Sequence, residues 1–436
     1  MTLRPRSPLL TLLTLLLFVL SCVTTHLPPI SSSGAGFEPL KDEAKLWRNA
    51  RAEEEKLLDE APIYDDPLLE DYLEGVVAKL NPAGMAANRQ IRYQVRVIED
   101  PTLNAFAYPH GSMYVHTGLL ARIENESQLA TVLGHEMTHV ENRHTVRYQR
   151  SARNREVGFA IAALTAAVIL AEEEADALSE GDWDKAWRTG VLGQILVGLG
   201  LQLAFLASVH GYGRDLEREA DFGSFDKLEN AGYDLRESPN VYELLQDGHG
   251  DTGDLETFFF GSHPKLSQRV ESAREHLARR SQASQGSEVT EDDSTTFERR
   301  IRPVLRDDAR QNIELGRFEL AAFELEKALA LLPEDAEAHL LMGQVKLAQA
   351  DEPQDPAAEA RLRGEALQSL RESVRLAPDR PDVHRELGLF AYRADDFRTA
   401  CAELATYVEL APDAKDAQSA RGYLLELKRD GHCASS

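Results

Sequence analysis

Cysteine is nearly absent: Cys22, Cys401 and Cys433 are the three in a chain of 436 residues. That is too few for a disulfide-built scaffold, so the fold must rest on apolar cores. Positive charge is also in deficit. With 48 Lys and Arg against 73 Asp and Glu, the formal charge is −25 and no basic stripe is visible. This argues against a nucleic-acid partner, because phosphates would be repelled, and the acidity serves solubility instead. Long apolar runs are missing as well. Residues 9–20 and 158–171 are too short for a comfortable membrane span of ~20 residues, and 190–209 is interrupted by Gln194 and Gln202. The two internal runs are expected as helices packed over the functional site, touching lipid or substrate, rather than as a transmembrane hairpin. At 43% hydrophobic the chain is long enough for two domains with real cores.

The most informative stretch that is present is residues 134–140, Gly-His-Glu-Met-Thr-His-Val, set in an apolar helical pattern expected to run from about Ser127 to Arg147. Positions i and i+4 of a helix share a face, so His135 and His139 can offer two imidazole nitrogens to one metal ion while Glu136 projects beside it. A catalytic zinc takes three protein ligands and keeps one position for water, so a third ligand must come from elsewhere. It is not the metzincin histidine, because Asn142 and Thr145 stand where that pattern needs Gly and His.

Glu217-Arg218-Glu219-Ala220-Asp221 follows the second apolar run. Glu217 and Asp221 share a helix face, which makes Glu217 the expected third ligand and Asp221 the acceptor of a ligand histidine's other N–H, fixing its ring and tautomer. His144 lies about 140° round a continuous helix from His139 and is expected to be structural. His110 and His116 are expected to hydrogen bond within the approach strands rather than to ligate.

One zinc ion per chain would bring the pKa of its water to about 7, and Glu136 would take the proton and return it to the leaving amine. The expected reaction is peptide hydrolysis. Candidate donors to the developing oxyanion are His263, Arg214 and Tyr212. His263, near Gly250, Gly253 and Gly261, is alternatively an inhibitory ligand in the open zinc position. The run Ile91 to Ile98 is expected as a strand, with Asn104–Ala107 or Met113–Val115 as the edge to which an extended polypeptide adds.

The pairing of this HExxH box with Glu-Arg-Glu-Ala-Asp resembles the gluzincin peptidases of the HtpX, BepA and CAAX-prenyl-protease family. Upstream, Tyr64-Asp65-Asp66-Pro67 with Tyr72, Asn104-Ala105-Phe106-Ala107 and Tyr114-Val115-His116-Thr117-Gly118 resemble the family's approach to its metal helix. Downstream, Ser262-His263-Pro264 with Arg269 resembles its closing element. The resemblance covers roughly residues 40–280 and, with the C-terminal repeats, is nearest to BepA-like periplasmic proteases. It implies an α+β, mostly helical catalytic domain with a small β-sheet, followed by an all-α solenoid. It also supports the silencing role for His263.

Arg4 and Arg6, the Leu-rich run and Val19-Leu20-Ser21-Cys22 look like a lipoprotein signal, with lipidation at Cys22. Val23 after the cysteine favours the outer membrane, facing the periplasm of a diderm bacterium. Residues 1–21 are then signal, 22–40 tether, 41–280 peptidase and 281–296 a Ser/Gln/Thr/acidic linker. Residues 41–60 and 67–80 read as amphipathic helices.

In the segment 297–436, Pro378 and Pro412 are 34 residues apart, Gly316-Arg317-Phe318-x-x-Ala321 recurs as Asp395-Asp396-Phe397-x-x-Ala400, and Gly343 and Gly388 take equivalent places. An insertion of eleven falls over residues 351–361. The pattern resembles about three tetratricopeptide repeats and a capping helix. Their concave face is expected to bind a protein partner, with unfolded or stalled envelope proteins as substrates. Cys401 and Cys433 pair in an oxidising compartment if geometry permits; otherwise they are a buried small residue and a terminal thiol. The competing reading is a non-catalytic chaperone or scaffold that works through its repeats. A third is an intramembrane protease.

Overall fold

The computed structural model describes residues 25–151, 153–154, 214–247, 266–281, 291–352 and 355–433. Residues 1–24 with Cys22, the apolar runs 158–171 and 190–209, Tyr212, and the Gly-rich stretch with His263 lie outside the described residues. Among those described, no helix is long and apolar enough to cross a membrane.

Helices α1 (Lys41–Glu60) and α2 (Pro67–Leu80) have the bounds that their periodicity predicts. Asp66 caps α2, its carboxylate accepting from the Leu68 and Leu69 amides, and Pro67 supplies a pre-set first position. Leu69, Leu73, Val76, Val77 and Leu80 then form one buried stripe, each worth about 1.5–3 kcal/mol relative to exposure. After the single turn α3 (Ala83–Ala86) come β1 (Gln94–Ile98), β2 (Ala105–Ala107) and β3 (Ser112–His116).

The sheet order is β1-β3-β2, with β1 parallel and β2 antiparallel to β3. Met113–Val115, one of the two candidate edges, is therefore the central strand, and Ala105–Ala107 is an edge. A short helix α4 (Thr117–Arg122) leads into α5 (Glu126–Glu141), every residue of which is buried. Asn125 starts α5 by accepting from the Gln128 amide.

Three further helices, α6 (Arg214–Ala231), α7 (Glu237–Asp247) and α8 (Leu266–Ser281), complete the lower half. Helix α6 crosses α5 at very close range. A methyl placed on Gly223 would lie 2.4 Å from Thr138 Cγ2, and one on Gly134 would lie 2.8 Å from Ser224 Oγ. Ser224 Oγ also donates to the Thr131 carbonyl at 2.8 Å, tying the helices together at the crossing.

The described residues from 291 onward are mainly helical. Three pairs follow, α9 (Glu291–Glu314) with α10 (Phe318–Leu331), α11 (Ala336–Asp351) with α12 (Pro356–Leu376), and α13 (Pro381–Arg393) with α14 (Phe397–Leu410), closed by α15 (Ala417–Arg429). Gly343 and Gly388 do the same work in successive repeats: each faces a leucine of its partner helix, Leu370 and Leu404, at distances no side chain could share. The eleven extra residues of the middle repeat lengthen α11 and α12 rather than forming a separate loop.

Residues 291–296, expected in the linker, are the first turns of α9. The first buried apolar side chain described in this helix is Phe297. Phe297, Ile301, Val304 and Leu305 enter the same core as Leu69, Leu133 and Phe225. Tyr64 donates to Asp307 at 2.8 Å, and Lys327 Nζ to the Ala121 carbonyl at 2.9 Å, so polar contacts reinforce this junction. At the far end Cys401 and Cys433 form a disulfide of 2.03 Å that ties the terminal segment to α14.

Candidate metal centre

Helix α5 presents His135 and His139 on one face, and the close crossing with α6 brings Glu217 opposite them. The two Nε2 atoms are 3.0 Å apart, and Glu217 lies 3.4 Å from His135 Nε2 and 3.5 Å from His139 Nε2. Among the described residues this is the one cluster of three or more His, Cys, Asp or Glu side chains whose donor atoms could share a metal ion. Tetrahedral donors about 2.0–2.1 Å from a zinc ion sit a little over 3 Å from one another, so the triangle fits.

Charge supports the same fit. Glu136, Glu217 and Asp221 are each 2–3% exposed, and the buried Arg269 guanidinium pairs with Asp221 at 2.7 Å and lies 3.8 Å from Glu217. A divalent cation would balance the remaining negative charge.

Asp221, one helical turn after Glu217, sits 2.9 Å from His135 Nδ1. The carboxylate is itself held by Arg269 Nη2 at 2.7 Å and by the Tyr242 hydroxyl at 2.8 Å. Burial opposes ionisation of Asp221, but Arg269 and His135 outweigh it and keep its pKa below the usual range. Burial and Arg269 both work against a charged His135, yet Asp221 and Glu217 hold its pKa up, to about 9. Asp221 and Glu217 thus stabilise positive charge at His135, and a metal ion bound there would have to displace a proton.

Helix α5 does not run on to residue 147 as expected. It ends at Glu141 with Asn142 as its C-cap, and Arg143 takes φ +60° before the chain becomes helical again from residue 144. His144 therefore lies beside His139, with Nδ1 to Nδ1 at 3.0 Å, instead of 140° away.

His110 and His116 are held away from the cluster by hydrogen bonds. His110 Nε2 meets Glu54 at 2.7 Å, and His116 Nδ1 meets the Thr102 hydroxyl at 2.8 Å. Arg214 is the first residue of α6. Tyr212 and His263 are outside the described residues.

Three participants gave little signal in the chain itself. Arg269, seen only as part of a closing motif, reaches Asp221 across 48 residues, Tyr242 across 21, and His144 depends on a left-handed arginine. Asn104 precedes β2 and is 2% exposed. Neither its amide oxygen nor its nitrogen has a hydrogen-bond partner.

Comparison with known proteins places this geometry. Residues 67–277 match the profile of peptidase family M48. The beta-barrel assembly-enhancing protease of Yersinia pestis is 28% identical over 198 residues, 43% of this chain and 35% of that one. Its Escherichia coli K12 namesake is 27% identical over 198 residues, 43% and 34% of the respective chains. The mitochondrial metalloendopeptidase OMA1 of Arabidopsis thaliana is 28% identical over 243 residues, 55% and 43%. The chain thus spans less than half the length of these curated relatives.

Among solved structures, the TPR2AB-domain:pHSP90-complex of yeast Sti1 aligns over 70% of this chain and 96% of that one at 11% identity and a TM-score of 0.23. The repeat architecture rests instead on the helix pairs and their glycine contacts. With the His-His-Glu cluster of α5 and α6 inside the matched region, residues 67–277 are a metallopeptidase domain of family M48, followed by a tetratricopeptide-like helical array.

Proposed function

We propose that this chain is a zinc endopeptidase of the bacterial envelope that hydrolyses unfolded or stalled proteins, with its helical repeats recruiting substrate or an assembly partner. The observation that carries the reading is the buried convergence of His135, His139 and Glu217 beside Glu136. Bound there, a zinc ion would supply the Lewis acidity that makes water a nucleophile at neutral pH.

The chain's own groups do the rest. Asp221 holds a proton at His135 Nδ1, leaving Nε2 as the donor. Glu136, one residue beyond His135 on the same helix, accepts the water proton on its carboxylate and passes it to the leaving amine. The edge strand β2 packs near α5. An extended polypeptide would add to it as a further strand, with the buried Asn104 amide turned to its main chain. Recognition of backbone rather than side chains fits a protease for unfolded substrates. Arg214, Tyr212 and His263 remain the proposed oxyanion donors, with His263 alternatively a silencing ligand.

The names of two bacterial relatives concern β-barrel assembly. With the lipoprotein-like start they support attachment through Cys22 to the outer membrane, facing the periplasm. The intact donor set weighs against a purely scaffolding role. Metal analysis of the purified protein, with casein cleavage by wild type and Glu136→Gln, tests the proposal. Stoichiometric zinc and a loss of about 100-fold or more in the variant are expected. Equal behaviour of the two proteins leaves only the scaffold.

A further inference from the structure

We infer that His144, backed by Glu219, is a positioning residue that fixes the ring and tautomer of His139, as Asp221 does for His135. The inference rests on zinc ligation by His135, His139 and Glu217, and names a second arm of that site.

The local backbone exists to bring His144 back. Arg143 adopts φ +60°, uncommon for a residue with a side chain. A buried clamp holds it there: Arg143 Nε donates to Glu43 Oε1 at 2.9 Å, Nη2 donates to Glu43 Oε2, and the guanidinium lies 5.4 Å from the centre of the Phe37 ring. The turn sets the His144 ring nearly perpendicular to that of His139, at 82° with centroids 4.8 Å apart.

The proton count then follows from direction. His139 Nε2 faces His135 and Glu217, so for ligation it must be bare and the ring must carry its hydrogen on Nδ1. Nδ1 faces His144 Nδ1 at 3.0 Å, which must accept. His144 consequently carries its own hydrogen on Nε2, and the Glu219 carboxylate, 3.5 Å from that nitrogen, is the charge beside it. Glu219 is anchored in turn: Arg147 Nη1 donates to its oxygens at 2.8 and 2.9 Å, and Asn142 Nδ2 at 3.0 Å. Glu219 lies on α6 two residues beyond Glu217, so one helix supplies a ligand and both carboxylates that end the two arms.

The test is zinc affinity by chelator competition in the full chain, with folding checked by circular dichroism. In His144→Asn the side-chain oxygen can take the place of the Nδ1 acceptor; in His144→Leu it is lost at similar volume; in His144→Gln the amide is displaced towards the Nε2 position. The inference expects a loss of about 10- to 100-fold for His144→Leu, near wild-type affinity for His144→Asn, and His144→Gln nearer the leucine variant. It also expects ring 15N shifts of His139 that report Nδ1–H in wild type and His144→Asn.

Wild-type affinity in His144→Leu, with His144→Asn the weaker binder, would mean that the site needs only bulk, and overturns the inference. If His144→Leu does not fold, the order of the Asn and Gln variants decides. Absence of zinc from the wild type would instead overturn the zinc reading on which the inference rests.

Discussion

Gly223→Ala tests whether the crossing of α5 and α6 sets the metal geometry. The added methyl would lie 2.4 Å from Thr138 Cγ2 and 2.7 Å from its Oγ1. Ordinary carbon contacts begin near ~3.5 Å, so a separation of roughly 1 Å must be found. Thr138 cannot simply rotate away, because its hydroxyl donates to the Gly134 carbonyl at 2.7 Å. Overpacking of this kind costs about 1–3 kcal/mol. The effect on the site is larger than the effect on the fold, since metal–ligand distances tolerate only about ±0.2 Å. Glu217 rides on the displaced helix, and zinc affinity is expected to fall by about tenfold or more.

Urea unfolding and chelator competition measure the two effects separately. The suppressor is Thr138→Ala, which removes both offending atoms and leaves the nearest Thr138 atom, Cβ, at 3.1 Å. The double variant should recover most of the affinity. Wild-type zinc binding in Gly223→Ala, or failure of the second change to restore it, refutes this reasoning.

Other perturbations probe different parts of the molecule. Arg143→Ala leaves Glu43, 1% exposed, without its buried partner, and should cost about 3–5 kcal/mol in denaturant unfolding. The Glu43→Gln/Arg143→Ala pair should lose less than the sum of the single variants. Burial pushes the Asp308 carboxyl up to about 6, and Glu324 beside it is also raised. Stability from the neutral acid is full below its ordinary pKa of 3.8 and is lost as pH climbs through 6. Asp308→Asn should therefore gain stability at pH 7.5 relative to wild type and gain little at pH 4; a pH-independent difference contradicts it. Replacing Cys401 and Cys433 by Ser frees a loop with a sequence separation of 32 and should lower stability by about 3–4 kcal/mol in non-reducing thermal melts. Reduction of wild type should reproduce the loss.

The legible parts of this protein were those that repeat or that a single helix determines. His135 and His139 share a face because of helical pitch, and Glu217 and Asp221 do so a turn apart, so the candidate donor set could be read from spacing together with the pairing of the two motifs. Gly343 and Gly388 betray the repeats because each admits a leucine that any side chain would block. The misread parts depend on backbone departures or on distant partners. Helical projection turned His144 away from His139, since an arginine at φ +60° leaves no mark in composition. The central place of β3 follows from the order β1-β3-β2, which alternation along a strand does not encode. The linker was drawn over residues 291–296, which are helical, because a polar helix start has the same composition as a linker.

The burial of α9 has a practical corollary for dissecting this protein. Phe297, Ile301, Val304 and Leu305, with Ala328 from α10, plug the underside of the catalytic half. Severing the chain near residue 281, where composition invites the cut, would leave a greasy scar and an aggregating fragment. A cut after Leu331 would keep these contacts and would instead bare the apolar face that Ala322 and Leu325 share with Leu341 and Val345 of α11.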